Sequence, residues 1–376
     1  MVTLYIGGTM ILKKINVYDM LEKTREKTLI CFGAGTQLAT ACEAFSGASF
    51  FERIDFIADN DRDKNSFSFC GTEKPIYPIE FCIRNATKEP VILVTTMFDC
   101  CDVIEQLNSI PELKNCDCYI HSFNSNLLKT YHLPKNRTLN EPLKIPKIIH
   151  YCWFGGAPIR ADFTEYIESW KKFCPDYEII RWDESNYDYK KNEYMYDAYK
   201  HKKWAFVSDY ARLDVICQHG GVYLDTDIEI IKNIDDLLCD DAFIGFESSG
   251  HRVANYGFGA IAGFSLIMEL IKMYDYLSFL NKDGSLNLKP APKFQTDFFV
   301  SKGLKKNNFL QDVDGMIVYP SDVLDPLNLA AELDITDNTY AIHHGAGTWV
   351  DNIVYKKRME CISNIKKIYP QIIMER

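Results

Sequence analysis

Ala205-Phe-Val-Ser-Asp-Tyr-Ala-Arg-Leu213, followed by Gly220-Gly-Val-Tyr-Leu-Asp-Thr-Asp227, reads as an apolar helix, a left-handed stop, a short buried strand and an acidic turn. In α/β folds ligands collect at the carboxyl ends of strands, which is where this turn falls. Asp225 and Asp227, one residue apart, can aim two carboxylates at one point, an arrangement suited to a hard divalent cation and to phosphate oxygens bridged through it. On the helix, Ser208, Asp209 and Arg212 are three or four residues apart and share a face. Two readings of that face are open. Asp209 and Arg212 either brace the helix as a buried pair or present hydrogen-bonding groups to a polyhydroxylated ligand.

The acidic pattern alone says little, because Asp59/Asp61, Asp61/Asp63 and Asp312/Asp314 fit it too and most such turns are solvated loops. Only Asp225/Asp227 follows a hydrophobic strand entered through Gly220-Gly221 and preceded by a polar helix face.

Working outward, the same domain opens with the apolar run Lys147–Phe154, stopped by Gly155-Gly156. An amphipathic helix follows, marked by Phe163, Tyr166, Ile167, Trp170 and Phe173, and then a strand over 177–182. Further strands are expected at 242–246 and 316–319, and helices at 266–280 and 353–368. Upstream, Thr28–Phe32, Ile54–Ile57, Val91–Val94 and Cys118–Ile120 alternate with helical stretches, which predicts a parallel sheet. Pro134, Pro142 and Pro146 among polar residues mark a linker. The expected division is therefore 1–138, a smaller Rossmann-like parallel α/β domain, and 139–376, a larger α/β domain ending in a helix.

Composition narrows the function. The net charge of -10 argues against a nucleic-acid partner held through its phosphates. The 13 cysteines include no Cys-x-x-Cys pair, which points to reduced thiols and a cytoplasmic setting. Met1–Leu12 contains Gly7-Gly8 and no cleavage-like site, so no signal peptide is expected, and Met10 is a candidate start. No apolar run reaches transmembrane length, which leaves peripheral contact at the inner membrane face as the form a membrane association would take.

Three segments in order, Ile145–Gly155, Ala205–Leu213 and Gly220–Asp227, resemble glycosyltransferase family 32, which includes yeast-type initiating mannosyltransferases and is similar in core motifs to the clostridial glucosylating toxins. The resemblance spans about 144–349 and implies a GT-A type nucleotide-sugar-binding fold. It implies a nucleotide-sugar donor, UDP-sugars first among them, a Mn2+ or Mg2+ ion, and a saccharide or lipid-linked saccharide acceptor in capsular or lipopolysaccharide synthesis. It further implies transfer with retained anomeric configuration. Residue by residue, Trp153 matches the aromatic that stacks on the donor base, although a core tryptophan is the plainer reading. Asp209 and Arg212 match the pair that holds the donor sugar, with Ser208 beside them. Asp225 matches the carboxylate toward ribose and sugar, Asp227 the metal ligand, and Tyr223 a supporting residue. In Ile342–Trp349, His344 is the expected additional metal ligand, ahead of His343, and Thr348 and Trp349 would close over the diphosphate. Asn255-Tyr256-Gly257 matches only loosely and is given no role.

Gly33-x-Gly35 after the first of the upstream strands, with Asp59 at the end of the next, is an incomplete dinucleotide fingerprint in which Leu38 replaces the third glycine. A working NAD site is not expected there; a scaffold, an oligomer surface or another nucleotide site is. Competing readings are a toxin-like transferase that modifies protein, a sugar-nucleotide oxidoreductase using the first domain, and a non-catalytic ion-binding protein.

Overall fold

A computed structural model describes residues 9–45, 49–96, 99–124, 142–327, 332–347, 356–357, 359–360, 363–364 and 373–374. They separate into two compact units, one built from 1–129 with 328–332 and 350–376, the other from 130–327 with 333–349. The expected boundary at Thr138 lies outside the described residues, as does most of the expected helix 353–368. The second domain was expected to run to residue 376, but Ile373–Met374 pairs in parallel with Lys13 and Lys14 and so belongs to the first unit's sheet.

The first unit carries β1 (Ile11–Lys14), β2 (Thr28–Phe32), β3 (Phe56–Ala58), β4 (Ser66–Phe69), β5 (Thr72–Tyr77), β6 (Pro90–Val94) and β7 (Asp117–Ile120). From the C-terminal strand the order is β1, β7, β6, β2, β3, β5, β4. All neighbours are parallel except β4 and β5. The chain steps from β2 to β3 on one side and returns to β6 on the other, which makes a topological switch point between β2 and β6. Every residue of β2 and β7 is buried, the continuous apolar signature of a parallel sheet covered on both faces. The β4–β5 hairpin was not legible in the sequence. It turns through Cys70 and Gly71, both at positive φ, whereas the usual signal for such a turn is Asn-Gly.

The second unit has β8 (Ile148–Cys152), β9 (Glu178–Trp182), β10 (Gly221–Leu224), β11 (Ile228–Ile230), β12 (Ala242–Phe246), β13 (Val253–Ala260), β14 (Gln311–Val313), β15 (Met316–Tyr319) and β16 (Ala341–His343). Its mixed sheet runs β14, β15, β12, β13, β10, β8, β9, and β11 pairs separately with β16. Sequence reading missed β13 because all eight of its residues are buried, so nothing alternates, and Gly257 and Gly259 interrupt the apolar run. Gly259 is where a side chain would meet the Phe243 ring on β12.

The helix Trp204–His219 is buried nearly all round and lies beside β8, β10 and β13. Its C-terminus turns into β10 through Gly220 (φ 66°) and Gly221 (φ 105°), conformations that favour glycine. Beneath this turn His150 is fully satisfied. Its Nε2 lies 2.9 Å from the Gly220 carbonyl, and its Nδ1 accepts the Trp182 indole N–H at 3.0 Å. Burial pushes the imidazole down to about 4, so it is neutral at neutral pH and donates through Nε2. A Cβ at Gly221 would lie 2.7 Å from the Ile148 carbonyl oxygen and 3.0 Å from His150 Nε2. Gly221→Ala is therefore expected to cost about 1–3 kcal/mol or more in backbone strain and displacement of His150. Urea unfolding followed by tryptophan fluorescence checks this, and an unchanged midpoint would contradict it.

Candidate active site

The acidic turn leaves the carboxyl end of β10, and the strand beside it fixes its start. The Asp225 amide donates to the Tyr256 carbonyl on β13 at 2.8 Å. From the helix, Arg212 reaches across beneath the turn. Its Nη1 donates to the Asn255 carbonyl at 2.8 Å, and its Nε to the Ser208 carbonyl at 3.1 Å. Nη2 lies 3.4 Å from both Asp209 Oδ1 and Asp225 Oδ1. The guanidinium also lies over the Tyr223 ring at 4.9 Å, and the Tyr223 hydroxyl donates to Asp225 Oδ1 at 2.9 Å. One buried cation thus holds two carboxylates from two elements.

The electrostatics follow from that placement. Burial would lower the basicity of Arg212, but Asp225 and Asp209 more than offset it and keep it charged. Asp209 is pushed up to about 6 by burial, with Arg212 pulling the other way. Asp225 is raised by the same burial, tempered by Arg212. Asp227 differs. Burial would raise it, but His343, 3.5 Å from Oδ2, and the Ala346 amide, donating to Oδ2 at 2.9 Å, hold it down at about 2. His343 is in turn raised well above its ordinary value: burial opposes this, but Asp227 and Asp325 prevail.

The expected metal pair, Asp227 with His344, meets through the backbone, the His344 amide donating to the Asp227 carbonyl at 2.9 Å, while the imidazole faces Glu229. His343, paired with Ile228 in the β11–β16 ladder, turns to Asp227. His344 points elsewhere: its Nε2 meets Glu229 Oε2 at 2.9 Å and its ring stacks on Tyr166 at 4.2 Å. Successive residues at a strand end face opposite ways, which a His-His pair in the sequence cannot resolve. Among the described residues no three His, Cys, Asp or Glu side chains are arranged to hold a metal by themselves. Two adjacent carboxylates nonetheless suit Mg2+ or Mn2+, which keep several waters and complete their shell with substrate phosphates.

The other expected residues divide. Trp153 sits half-buried just past β8, its indole N–H donating to the Ala157 carbonyl at 2.6 Å and its edge on Phe163. The Ser208 hydroxyl donates back to the Trp204 carbonyl at 3.0 Å, so it serves the helix. Thr348 and Trp349 lie outside the described residues. In the first unit, Gly33, Gly35 and Asp59 do come together at the switch point. Asp59, however, accepts the Ala34 amide at 2.7 Å and pairs with Lys64 at 2.9 Å, so its carboxylate is spent on the glycine loop itself.

Sequence reasoning gave Asn255 no role and missed Asp325. The Asn255 amide donates to Asp209 Oδ1 at 3.3 Å, and its carbonyl receives Arg212. Asp325 accepts the Ser248 amide at 2.7 Å and the Tyr256 hydroxyl, and faces His343 Nδ1 at 3.8 Å. Neither lies in a local motif; pairing of β13 beside β10 and the fold around β16 bring them in.

With this geometry in view, comparison with known proteins is informative. Residues 161–244 match the family described as glycosyltransferase sugar-binding region containing DXD motif. An uncharacterized glycosyltransferase of Acanthamoeba polyphaga mimivirus is 25% identical over 225 residues, 56% of this chain and 85% of that protein. The mannosyl phosphorylinositol ceramide synthase of Saccharomyces cerevisiae is 29% identical over 165 residues, 39% of this chain and 42% of that protein. The chain thus spans about two fifths of the yeast relative. Among solved structures, the PaToxG glycosyltransferase aligns with a TM-score of 0.35 at 21% identity, covering 42% of this chain and 69% of that one. Residues 161–244 thus match the DXD-containing sugar-binding region of glycosyltransferases, and glycosyl transfer is the class of activity supported.

Asp209 gives this site a measurable pH signature. Its carboxyl titrates near 6 when folded and near 4 when unfolded, so the folded state binds the extra proton between those values. Stability due to this group is fully present below the unfolded value and is lost as pH rises through about 6. Relative to Asp209→Asn, the wild type should lose about 2–3 kcal/mol of unfolding free energy between about pH 4 and about pH 7.5. Denaturant titrations of both proteins at several pH values check this; a difference that does not vary with pH would contradict it.

Proposed function

We propose that this glycosyltransferase is metal-dependent and transfers a sugar, with retained anomeric configuration, from a nucleoside diphosphate donor to a saccharide or lipid-linked saccharide acceptor of a surface polysaccharide. The observation that carries it is the pairing of two differently tuned carboxylates on one turn. Asp227, held ionised at about 2, is available as an anionic ligand across the working pH range. Asp225, fixed by Arg212 and Tyr223, is oriented rather than free, which suits a fixed acceptor for ribose and sugar hydroxyls.

A bound Mg2+ or Mn2+ would supply charge neutralisation for the departing nucleoside diphosphate. Asp227 is the residue that would hold it. Asp209 accepts hydrogen bonds from donor-sugar hydroxyls, and Arg212 keeps that carboxylate in place while balancing its charge. Protonated His343 steadies Asp227 from behind. Trp153, half-buried just past β8, offers an apolar surface for the base, with UDP the first to test. Among the described residues no carboxylate is singled out as a covalent nucleophile, so front-face attack is the favoured route, with a donor phosphate oxygen taking the acceptor proton. The name of the yeast relative makes mannose the first sugar to try. Among the described residues no helix is long and apolar enough to cross a membrane, so a lipid-linked acceptor would be met peripherally.

Titration calorimetry of UDP with Mn2+ and with a chelator tests the metal assignment. Mn2+ should tighten binding to the wild type about tenfold or more, and Asp227→Asn should abolish that gain while circular dichroism stays native. A variant that keeps the full Mn2+ effect would remove Asp227 from the role.

A further inference from the structure

The six-residue tip between β12 and β13, Glu247-Ser-Ser-Gly-His-Arg252, has no part in the site so far. It is built tightly. The Gly250 amide donates to the Glu247 carbonyl at 2.7 Å, and the Glu247 amide to the Arg252 carbonyl at 2.8 Å. Gly250, at φ 70°, sits where a side chain would meet Asn308 at 3.0 Å. The tip is tied to the acidic turn at both ends. The Ser248 amide binds Asp325, the residue that also faces His343 and through it Asp227. Three residues beyond the tip, Asn255 binds Asp209 and Arg212.

Within this frame the Glu247 carboxylate is held by one oxygen. The Ser249 hydroxyl donates to Oε1 at 2.9 Å, and Arg252 Nε stands 3.9 Å from the same atom. Oε2 makes no hydrogen bond or ion pair among the described residues, and the side chain keeps 22% of its surface exposed. The Ser248 amide next to it binds Asp325, which faces His343 and through it Asp227, so Glu247 stands on the Asp227 side of the site. Burial raises this carboxyl above its ordinary range, with Arg252 pulling the other way, and its free oxygen can accept a hydrogen bond, so the ligands that suit it are hydroxyl or amino groups. An anionic acceptor would meet Glu247 and Asp325 with only Arg252 and His343 beside them among the described residues, whereas the donor diphosphate has the metal proposed at Asp227 to offset its charge. Asp209 is already assigned to the donor sugar; Glu247 has no such task.

We infer that Glu247 is the residue that receives a hydroxyl of the acceptor sugar, and that the acceptor's reactive end is an uncharged sugar rather than a phosphorylated or carboxylated one. This rests on the transferase reading above. The tip works as a rigid arm: Ser249 and Asp325 fix its geometry, so the free Oε2 is presented at a constant distance from the acidic turn. Because Asn255 joins the arm to Asp209 and Arg212, the acceptor hydroxyl and donor sugar are positioned from one strand.

The test separates transfer from donor hydrolysis. UDP-mannose, UDP-glucose and GDP-mannose, with Mn2+, are each incubated with the wild type, and nucleoside diphosphate release is measured with and without methyl mannoside, methyl glucoside or their 6-phosphates. The inference expects the neutral glycosides to stimulate release and the phosphorylated ones not to. Glu247→Gln, which keeps size but removes charge, should lower the ratio of stimulated to unstimulated release about tenfold, mainly through the KM for the glycoside, and Glu247→Asp should recover part of it. A merely structural role would move both rates and the melting temperature together and leave the ratio unchanged, which overturns the inference. Stimulation by the 6-phosphates in preference to the neutral glycosides overturns it as well. No release from any donor would instead defeat the transferase reading itself.

Discussion

Arg212 is the constraint on which the second unit depends. A guanidinium that is almost completely buried must find its counter-charges and acceptors locally, or the fold carries an unpaired charge. It finds them on three elements: Asp209 and the Ser208 carbonyl on its own helix, Asp225 on the turn, and the Asn255 carbonyl on β13. Satisfying one residue therefore fixes how the helix, β10 and β13 meet, and that meeting is the site. The Gly220–Gly221 turn and the neutral His150 beneath it let the helix run directly into β10, which places Arg212 thirteen residues before Asp225 yet beside it in space.

The same neighbourhood gives two carboxylates on one turn opposite tendencies. Asp225 shares a buried cation with Asp209, and burial dominates, so its carboxyl is raised. Asp227 has His343, which it shares with Asp325, and the Ala346 amide, so it is lowered. A sequence shows both as aspartates of one motif. The division of labour, one oriented carboxylate and one firmly ionised one, comes from partners more than a hundred residues away in the β16 region.

Much of the site was legible because its core is local. Asp209 and Arg212 lie one turn apart, and the helix, glycine stop, strand and acidic turn are consecutive. The rival acidic turns also resolve as local features. Asp59 accepts the Asp61 amide and Asp61 the Asp63 amide, and Asp312 closes the tight turn at Asp314-Gly315. What could not be read depends on tertiary pairing. Asn255 and Asp325 acquire partners only once β13 lies beside β10 and the chain returns near β16. That the His343 ring, and not the His344 ring, faces the Asp227 carboxylate was not legible, because strand alternation is settled by register, here Ile228 against His343. In the first unit the strands were legible as continuous apolar runs, but Asp59 turned inward to the Ala34 amide, which no residue pattern announces. The C-terminal strand's return to β1 was equally invisible, since two residues carry no periodicity.

The central claim is that the Arg212-centred cluster and the acidic turn together form a nucleotide-sugar site. Its most direct test is acceptor-free release of nucleoside diphosphate from a panel of nucleotide sugars, measured with Mn2+ and after chelation. The account expects slow release from one donor or a small group, dependent on Mn2+. Absence of release from every donor, or release unaffected by chelation, would contradict it.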